Sequence, residues 1–215
     1  MTGFTEHRVE ANRALWAAMA DHPVVLGRAG GTLPDGALQA WVQHDRILVV
    51  QERRVLAALC AHGLPSRLDA LLADLDHNLV LEAEAVAGTA AEHGVAPEVE
   101  PWPVCLGYPS YLGCAAADGV LEGLTALYAA ERAYLDTWTA VAGRSPGDSA
   151  YQAWIQNWSG QAFPAVVATL GRGLDELAGT PSPALTGRLG VRFTDAARFE
   201  LAFWELCWSG QAWPA

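Results

Sequence analysis

Apolar residues recur at intervals of three and four along almost the whole chain, and no sustained alternation of period two stands between turn signals. A stripe at that spacing covers one face of a helix, whereas a half-buried strand needs every second residue apolar. The pattern therefore predicts an all-α fold. Thr5–Ala20 reads as an opening helix carrying Leu15, Trp16 and Met19, stopped at His22-Pro23 because the residue before a proline is pushed out of helical geometry. Gly30 to Gly36 reads as a turn, and Asp35 within it as the N-cap of a long helix through Leu38, Trp41, Val42, Asp45, Leu48, Val49 and Leu56 to His62-Gly63. After a short turn at Leu64-Pro65-Ser66, Arg67–Gly94 sets Leu71, Leu72, Leu75, Leu79 and Val86 among acidic residues. Val95–Pro109 holds four prolines and reads as an irregular crossover or part of a site. Ser110–Asp118 and Gly119–Val141 are helical, a turn covers Arg144 to Asp148, and a helix spans Ala150–Leu177. A Gly/Pro-rich connection from Gly179 to Gly190 then leads to a last helix, Thr194–Ser209, capped by Thr194 or Asp195. With no repeats and no break in composition, about seven helices form a single bundle.

A chain of 215 residues that is 52% hydrophobic can build one well-filled core without covalent staples, so residues 1–215 are expected to form one domain. The formal net charge of −11 argues against a nucleic-acid surface, where phosphates would be repelled. All the basic side chains are arginine, which reads as compositional bias. Cys60, Cys105, Cys114 and Cys207 stand apart in apolar contexts with no CxxC pair, as buried reduced thiols do. The first residues carry acidic groups and lack a continuous apolar run, and no window approaches the roughly 18 apolar residues that span a bilayer. A cytoplasmic protein without membrane contact is the expectation.

Chemistry enters at Glu131 and Tyr134, three residues apart in the apolar stretch Leu121–Trp138, where they share a helix face. Either Glu131 points inward, where a carboxylate needs a partner or a task, or it lies at the edge of the stripe and pairs with Arg132. Asp45 and Glu200 pose the same choice, between a site and surface pairing with Arg46 or Arg53 for the first and Arg198 for the second. Tyr108, Tyr134 and Trp158 are core or pocket aromatics. His22, His44, His62 and His77 read as structural or exposed, since no second ligand accompanies them at metal spacing.

Taken in order, Trp16…His22-Pro23, Gly31-Thr32-Leu33-Pro34, Trp41-Val42-Gln43-His44-Asp45, Tyr108-Pro109-Ser110-Tyr111-Leu112, Glu131-Arg132-Ala133-Tyr134, Tyr151 to Trp158, and Phe199-Glu200-Leu201-Ala202-Phe203-Trp204 resemble the TenA/thiaminase-II family over nearly the whole chain. The resemblance implies a heme-oxygenase-like helical bundle with a central pocket for a 4-aminopyrimidine related to thiamin. The family's main branch carries a cysteine nucleophile four residues before the mid-chain tyrosine, where this chain has Ala130. Glu131 beside it matches the branch that uses a glutamate instead. By position, Asp45 corresponds to the aspartate that binds the aminopyrimidine, Glu200 to the glutamate of the last helix near the scissile group, Tyr108 and Tyr134 to pocket tyrosines, and Trp158 to a pocket aromatic. Leu48 and Arg46 depart from the aromatic residues common in the family.

The residue types suit such a ligand, because a flat ring with nitrogen acceptors and an amine donor calls for carboxylates between aromatic walls. Carboxyl groups with unequal proton affinity can divide the work, one activating water and another protonating a leaving amine. The expected activity is hydrolysis of a C–N bond in thiamin salvage by Glu131 and Glu200, with Asp45, Tyr108, Tyr134 and Trp158 binding a small pyrimidine. Neither cofactor nor metal is implied, and the family resemblance together with nine tryptophans points to a homodimer or homotetramer. The alternatives are a non-enzymatic binder or regulator, motivated by Leu48 and Arg46, and a metal-dependent oxidase. The latter lacks any Glu-x-x-His, with Asp74-x-x-His77 and Glu92-His93 as its nearest approaches.

Overall fold

The computed structural model describes residues 3–96, 99–147, 151–210 and 213. Among these residues the regular elements are α1 (Phe4–Ala11), α2 (Arg13–Ala20), α3 (Pro23–Gly30), α4 (Asp35–Cys60), α5 (Ser66–Glu92), α6 (Pro103–Asp118), α7 (Val120–Arg144), α8 (Gln152–Ser159), α9 (Ala162–Ala178) and α10 (Pro183–Ser209). The all-α expectation holds, with ten helices where the sequence predicts about seven. Met1, Thr2, Pro97, Glu98 and Asp148 to Ala150 lie outside the described residues, so the far end of the 144–148 turn and the predicted start at Ala150 do too.

Each additional helix has a local cause. The opening helix breaks at Asn12, whose side-chain amide donates to the Arg8 carbonyl at 2.8 Å while its oxygen accepts from the Thr194 hydroxyl at 2.9 Å. The stop at Pro23 is also a start. Proline fits the first helical position, the His22 ring accepts from the Val24 N–H at 3.3 Å, and Gly31 closes α3 at φ 66°, where only glycine sits without strain. The predicted helix through Leu177 breaks at Gly160-Gln161.

Two boundaries are corrected. Helix α6 begins at Pro103, so the second half of the supposed irregular stretch is helical, with Pro109 inside it. Pro103 at the first position costs nothing, and Pro109 removes only the donor that would meet the Cys105 carbonyl. Burial of Cys105, Tyr108 and Leu112 on one face outweighs that loss. Helix α10 begins eleven residues before the predicted Thr194, because Ser182 caps it by accepting from the Leu185 N–H at 3.3 Å and Pro183 follows. Thr194 and Asp195 are interior to that helix rather than caps.

Helix α7 is the axis of the bundle, packing against α10, α6, α9, α8, α3 and α2, while α4 pairs with α5 and α6. From Gly123 to Ala133 every residue of α7 except Arg132 is buried, as expected of a helix apolar on all sides. Gly123 permits the close approach of α4 and α6, since a Cβ there would lie 2.6 Å from the Leu59 side chain and 2.7 Å from the Ala116 backbone. Glu131 therefore sits on the most enclosed element of the fold.

Candidate active site

One cavity collects residues from seven helices. Helix α4 lends Asp45, Leu48 and Glu52, and α5 lends Leu75, Asn78, Leu79 and Glu82, each set at spacings of three, four or seven and so on one face. Helix α6 adds Tyr108 and Pro109, and α7 adds Ala130, Glu131 and Tyr134. Trp158 of α8, Phe163 of α9, and Glu200 and Phe203 of α10 complete the wall. The structure thus brings all six residues predicted from the sequence to one cavity. The surface pairings of Glu131 with Arg132, Asp45 with Arg53 and Glu200 with Arg198 fall away, since Arg132 pairs with Glu6 and Asp136, Arg53 with Asp76, and Arg198 with Asp195.

Sequence reasoning missed two carboxyls. Glu52 lies two helical turns beyond Asp45, and Glu82 falls on the very stripe of Leu75, Leu79 and Val86 that predicted α5. A charge at a stripe position was the available signal. With these two, five carboxyl groups face one space: Asp45, Glu82, Glu131 and Glu200 are 3%, 7%, 7% and 4% exposed, and Glu52 is half-buried with its Oε1 sealed from solvent.

Their protons follow from that enclosure. Burial drives Asp45 up to about 7, against the pull of the Arg28 guanidinium, and drives Glu200 up to about 8, against the hydroxyl of Tyr108, which donates to Glu200 Oε2 at 3.0 Å. Glu131 and Glu82 are held well above the usual carboxylate range, first by burial and then by neighbouring carboxylates. Glu52, also raised by burial, hydrogen-bonds Glu131, a contact that two carboxyls can make only if one carries a proton. The Tyr134 hydroxyl donates to Glu82 Oε1 at 3.3 Å. Its ring stacks on Trp204 at 5.7 Å and meets Trp158 edge-on at 5.3 Å, while Tyr108 stacks on Phe199 at 5.5 Å. Glu200 Oε1 accepts no hydrogen bond from the described residues, leaving an acceptor for a ligand.

Among the described residues no cysteine lines this cavity. Ala130 stands on the cavity wall, burial pushes the Cys105 thiol up to about 12, and Cys207 is raised well above its ordinary value. Among the described residues no group of three or more His, Cys, Asp and Glu is arranged to hold a metal ion, and no helix is long and apolar enough to cross a membrane. Of the histidines, His22 caps α3 and meets Glu205 at 3.1 Å, and His44 is fully buried against Trp102.

A helical bundle with an acid-lined, aromatic-walled central cavity is the class these observations define. The profile of the TENA/THI-4/PQQC family matches residues 98–209, and the chain belongs to that family. It is similar to the aminopyrimidine aminohydrolases of Halalkalibacterium halodurans (25% identity, covering 98% of this chain and 97% of the relative) and of Bacillus subtilis (22%, covering 98% and 92%). Among solved structures, a TenA homologue from Pyrococcus furiosus superposes with a TM-score of 0.90 at 29% identity, covering 95% of this chain and 99% of that one.

Proposed function

We propose that this chain hydrolyses an exocyclic C–N bond of a thiamin-derived 4-aminopyrimidine, with water as nucleophile, in thiamin salvage. The observation that carries this reading is the meeting of Asp45, Glu131 and Glu200 with Tyr108, Tyr134 and Trp158 in one enclosed cavity. The similarity to two aminopyrimidine aminohydrolases over nearly their whole lengths supports it. The reading takes the chain as one catalytic domain, since a single cavity draws on residues from Asp45 to Phe203.

Asp45, which burial raises to about 7, anchors the ring nitrogen and exocyclic amine through charge-assisted hydrogen bonds. The aromatic rings flank the pyrimidine plane. Glu200, whose proton affinity burial raises to about 8, takes a proton from the attacking water through the minor fraction that is ionised near neutral pH. The water oxygen bonds to the methylene carbon as the C–N bond breaks. The electron pair leaves with nitrogen, which takes the proton that Glu131 holds in its contact with Glu52 and departs as ammonia. Glu131 stands in this way for the glutamate-type branch of the family, and Ala130 leaves no thiolate route.

The test is incubation of purified protein with 4-amino-5-aminomethyl-2-methylpyrimidine in oxygen-18 water. The expected products are the singly labelled hydroxymethyl pyrimidine and an equal amount of ammonia, with thiamin spared. Tight binding without turnover, or efficient cleavage of thiamin, contradicts the reading.

A further inference from the structure

A second hollow adjoins the carboxyl cavity from outside. Helix α5 packs against α4 and α9, and α8 against α7 and α9, and a groove runs between α5 and α8. Asn78, Glu82, Ala85, Thr89 and Glu92 follow one another at steps of three and four, so they form one face of α5 and one bank of the groove. Trp154, Asn157 and Trp158 form the other bank by the same spacing on α8. Asn78, Glu82, Trp158 and Phe163 line both the groove and the inner cavity. Their side chains are therefore the wall between the carboxyls and the surface on this side. A further groove between α4 and α5, at Val50, Ala57 and Leu72, shares none of its described residues with the cavity.

The wall is unevenly held. Glu82 is tied by the Tyr134 hydroxyl at 3.3 Å, whereas the buried indole N–H of Trp158 donates to no group among the described residues. The Trp158 ring meets Phe163 edge-on at 5.1 Å and Tyr134 edge-on at 5.3 Å, so displacing it breaks aromatic contacts and no hydrogen bond within that set. Its helix is two turns long and ends at Gly160, where a Cβ would lie 2.5 Å from the Gln156 carbonyl oxygen. The groove also carries a charge. Glu92 stands exposed on its rim and Glu82 at its floor, and none of the described residues lining it is basic, so a phosphate ester is repelled where an amine is not.

We propose that the groove between α5 and α8 is the doorway of the carboxyl cavity, with Trp158 and Phe163 as the rings that a small neutral or positively charged ligand displaces on its way in. It concerns access alone, so it goes beyond the hydrolase reading and its test needs no substrate.

The test places a thiol inside and narrows the door. Ala130 lines the inner cavity, so Ala130→Cys is followed by mass spectrometry of its peptide during reaction with methyl methanethiosulfonate, a neutral probe. Ala85→Trp and Ala153→Trp, at exposed positions on opposite banks, are added separately and together, so that one variant failing to fold leaves the other. The modification rate at residue 130 should fall about tenfold or more with the door narrowed, while Ala57→Trp in the other groove leaves it within about twofold. With charged probes, and with the exposed Cys114 as reference, 2-aminoethyl methanethiosulfonate should reach residue 130 about tenfold faster than its sulfonatoethyl counterpart. Glu92→Gln should narrow that gap. A rate unchanged by both groove tryptophans, or lowered equally by Ala57→Trp, overturns the doorway. A thiol at 130 that stays unmodified while Cys114 is consumed overturns it as well, and an anionic probe that arrives as fast as the cationic one overturns the selection by charge.

Discussion

Glu131→Gln separates proton transfer from packing more cleanly than any other single change in this cavity. The side chain is 7% exposed on the most enclosed helix, so truncation would leave a hole, whereas glutamine keeps the volume and can still donate an amide N–H to Glu52. What glutamine cannot do is exchange a proton with the leaving amine. A positioned acid or base is worth about 10²–10⁴-fold, equivalent to roughly 3–5 kcal/mol of barrier. Ground-state binding should change little, because the ring is anchored at Asp45 and the aromatic walls. Single-turnover assays with enzyme in excess over the aminomethyl pyrimidine, paired with calorimetry, should thus show the rate falling at least 100-fold with Kd within about threefold of wild type. A rate loss below about fivefold, in a variant whose unfolding midpoint is unchanged, would refute the catalytic assignment of Glu131.

Asp45→Asn should raise the Kd of 4-amino-5-hydroxymethyl-2-methylpyrimidine about tenfold or more, since a hydrogen bond to a charged group contributes roughly 1.5–3 kcal/mol. Leu48 lines the same cavity, so Leu48→Phe should leave binding intact or tighten it; calorimetry showing no binding by wild type and none gained by Leu48→Phe points to a different ligand. Folded-state values raised above the unfolded ones mean that the stability from Asp45 and Glu200 is fully present below the ordinary carboxylate range and is lost as pH rises through about 7 and about 8. Urea unfolding should find the ligand-free protein more stable at pH 5.5 than at pH 8.5 and the slope flattened by Glu200→Gln, whereas stability that climbs over this interval contradicts the burial assigned to these groups.

Periodicity made the long helices legible because each carries its apolar stripe over many turns, and α4, α5 and α7 lie within a few residues of their expected bounds. It failed where local chemistry overrides the stripe. Asn12 splits a continuous apolar pattern, and Ser182-Pro183 starts a helix in a segment whose glycines and prolines look like a connection. In α6, burial of Tyr108 and Leu112 outweighs an interior proline. In the site the asymmetry is similar. Asp45, Glu131 and Glu200 stand out in apolar surroundings, but Glu82 is masked by the other acids of α5 and Glu52 by the neighbouring Arg53 and Arg54, so composition hid what spacing alone distinguishes.

The same arrangement explains why so apolar a chain tolerates five carboxyls in its interior. Ionised together, they would repel within a medium that screens poorly, and each would lack the water that stabilises it outside. Burial resolves this by raising their affinity for protons, so that most are neutral at pH 7, and neutral carboxyls can donate as well as accept. Glu131 and Glu52 pair on that basis, Tyr134 donates to Glu82, and Tyr108 donates to Glu200. Yet Glu200 Oε1 still accepts nothing from the described residues, which is a stability cost that folding alone gives no reason to bear. A ligand rich in N–H donors offsets that cost only when bound, and an aminopyrimidine bearing an amine offers donors of that kind on a flat ring that the surrounding tyrosines and tryptophan can flank. The feature that weakens the unliganded fold is therefore the one that selects its substrate.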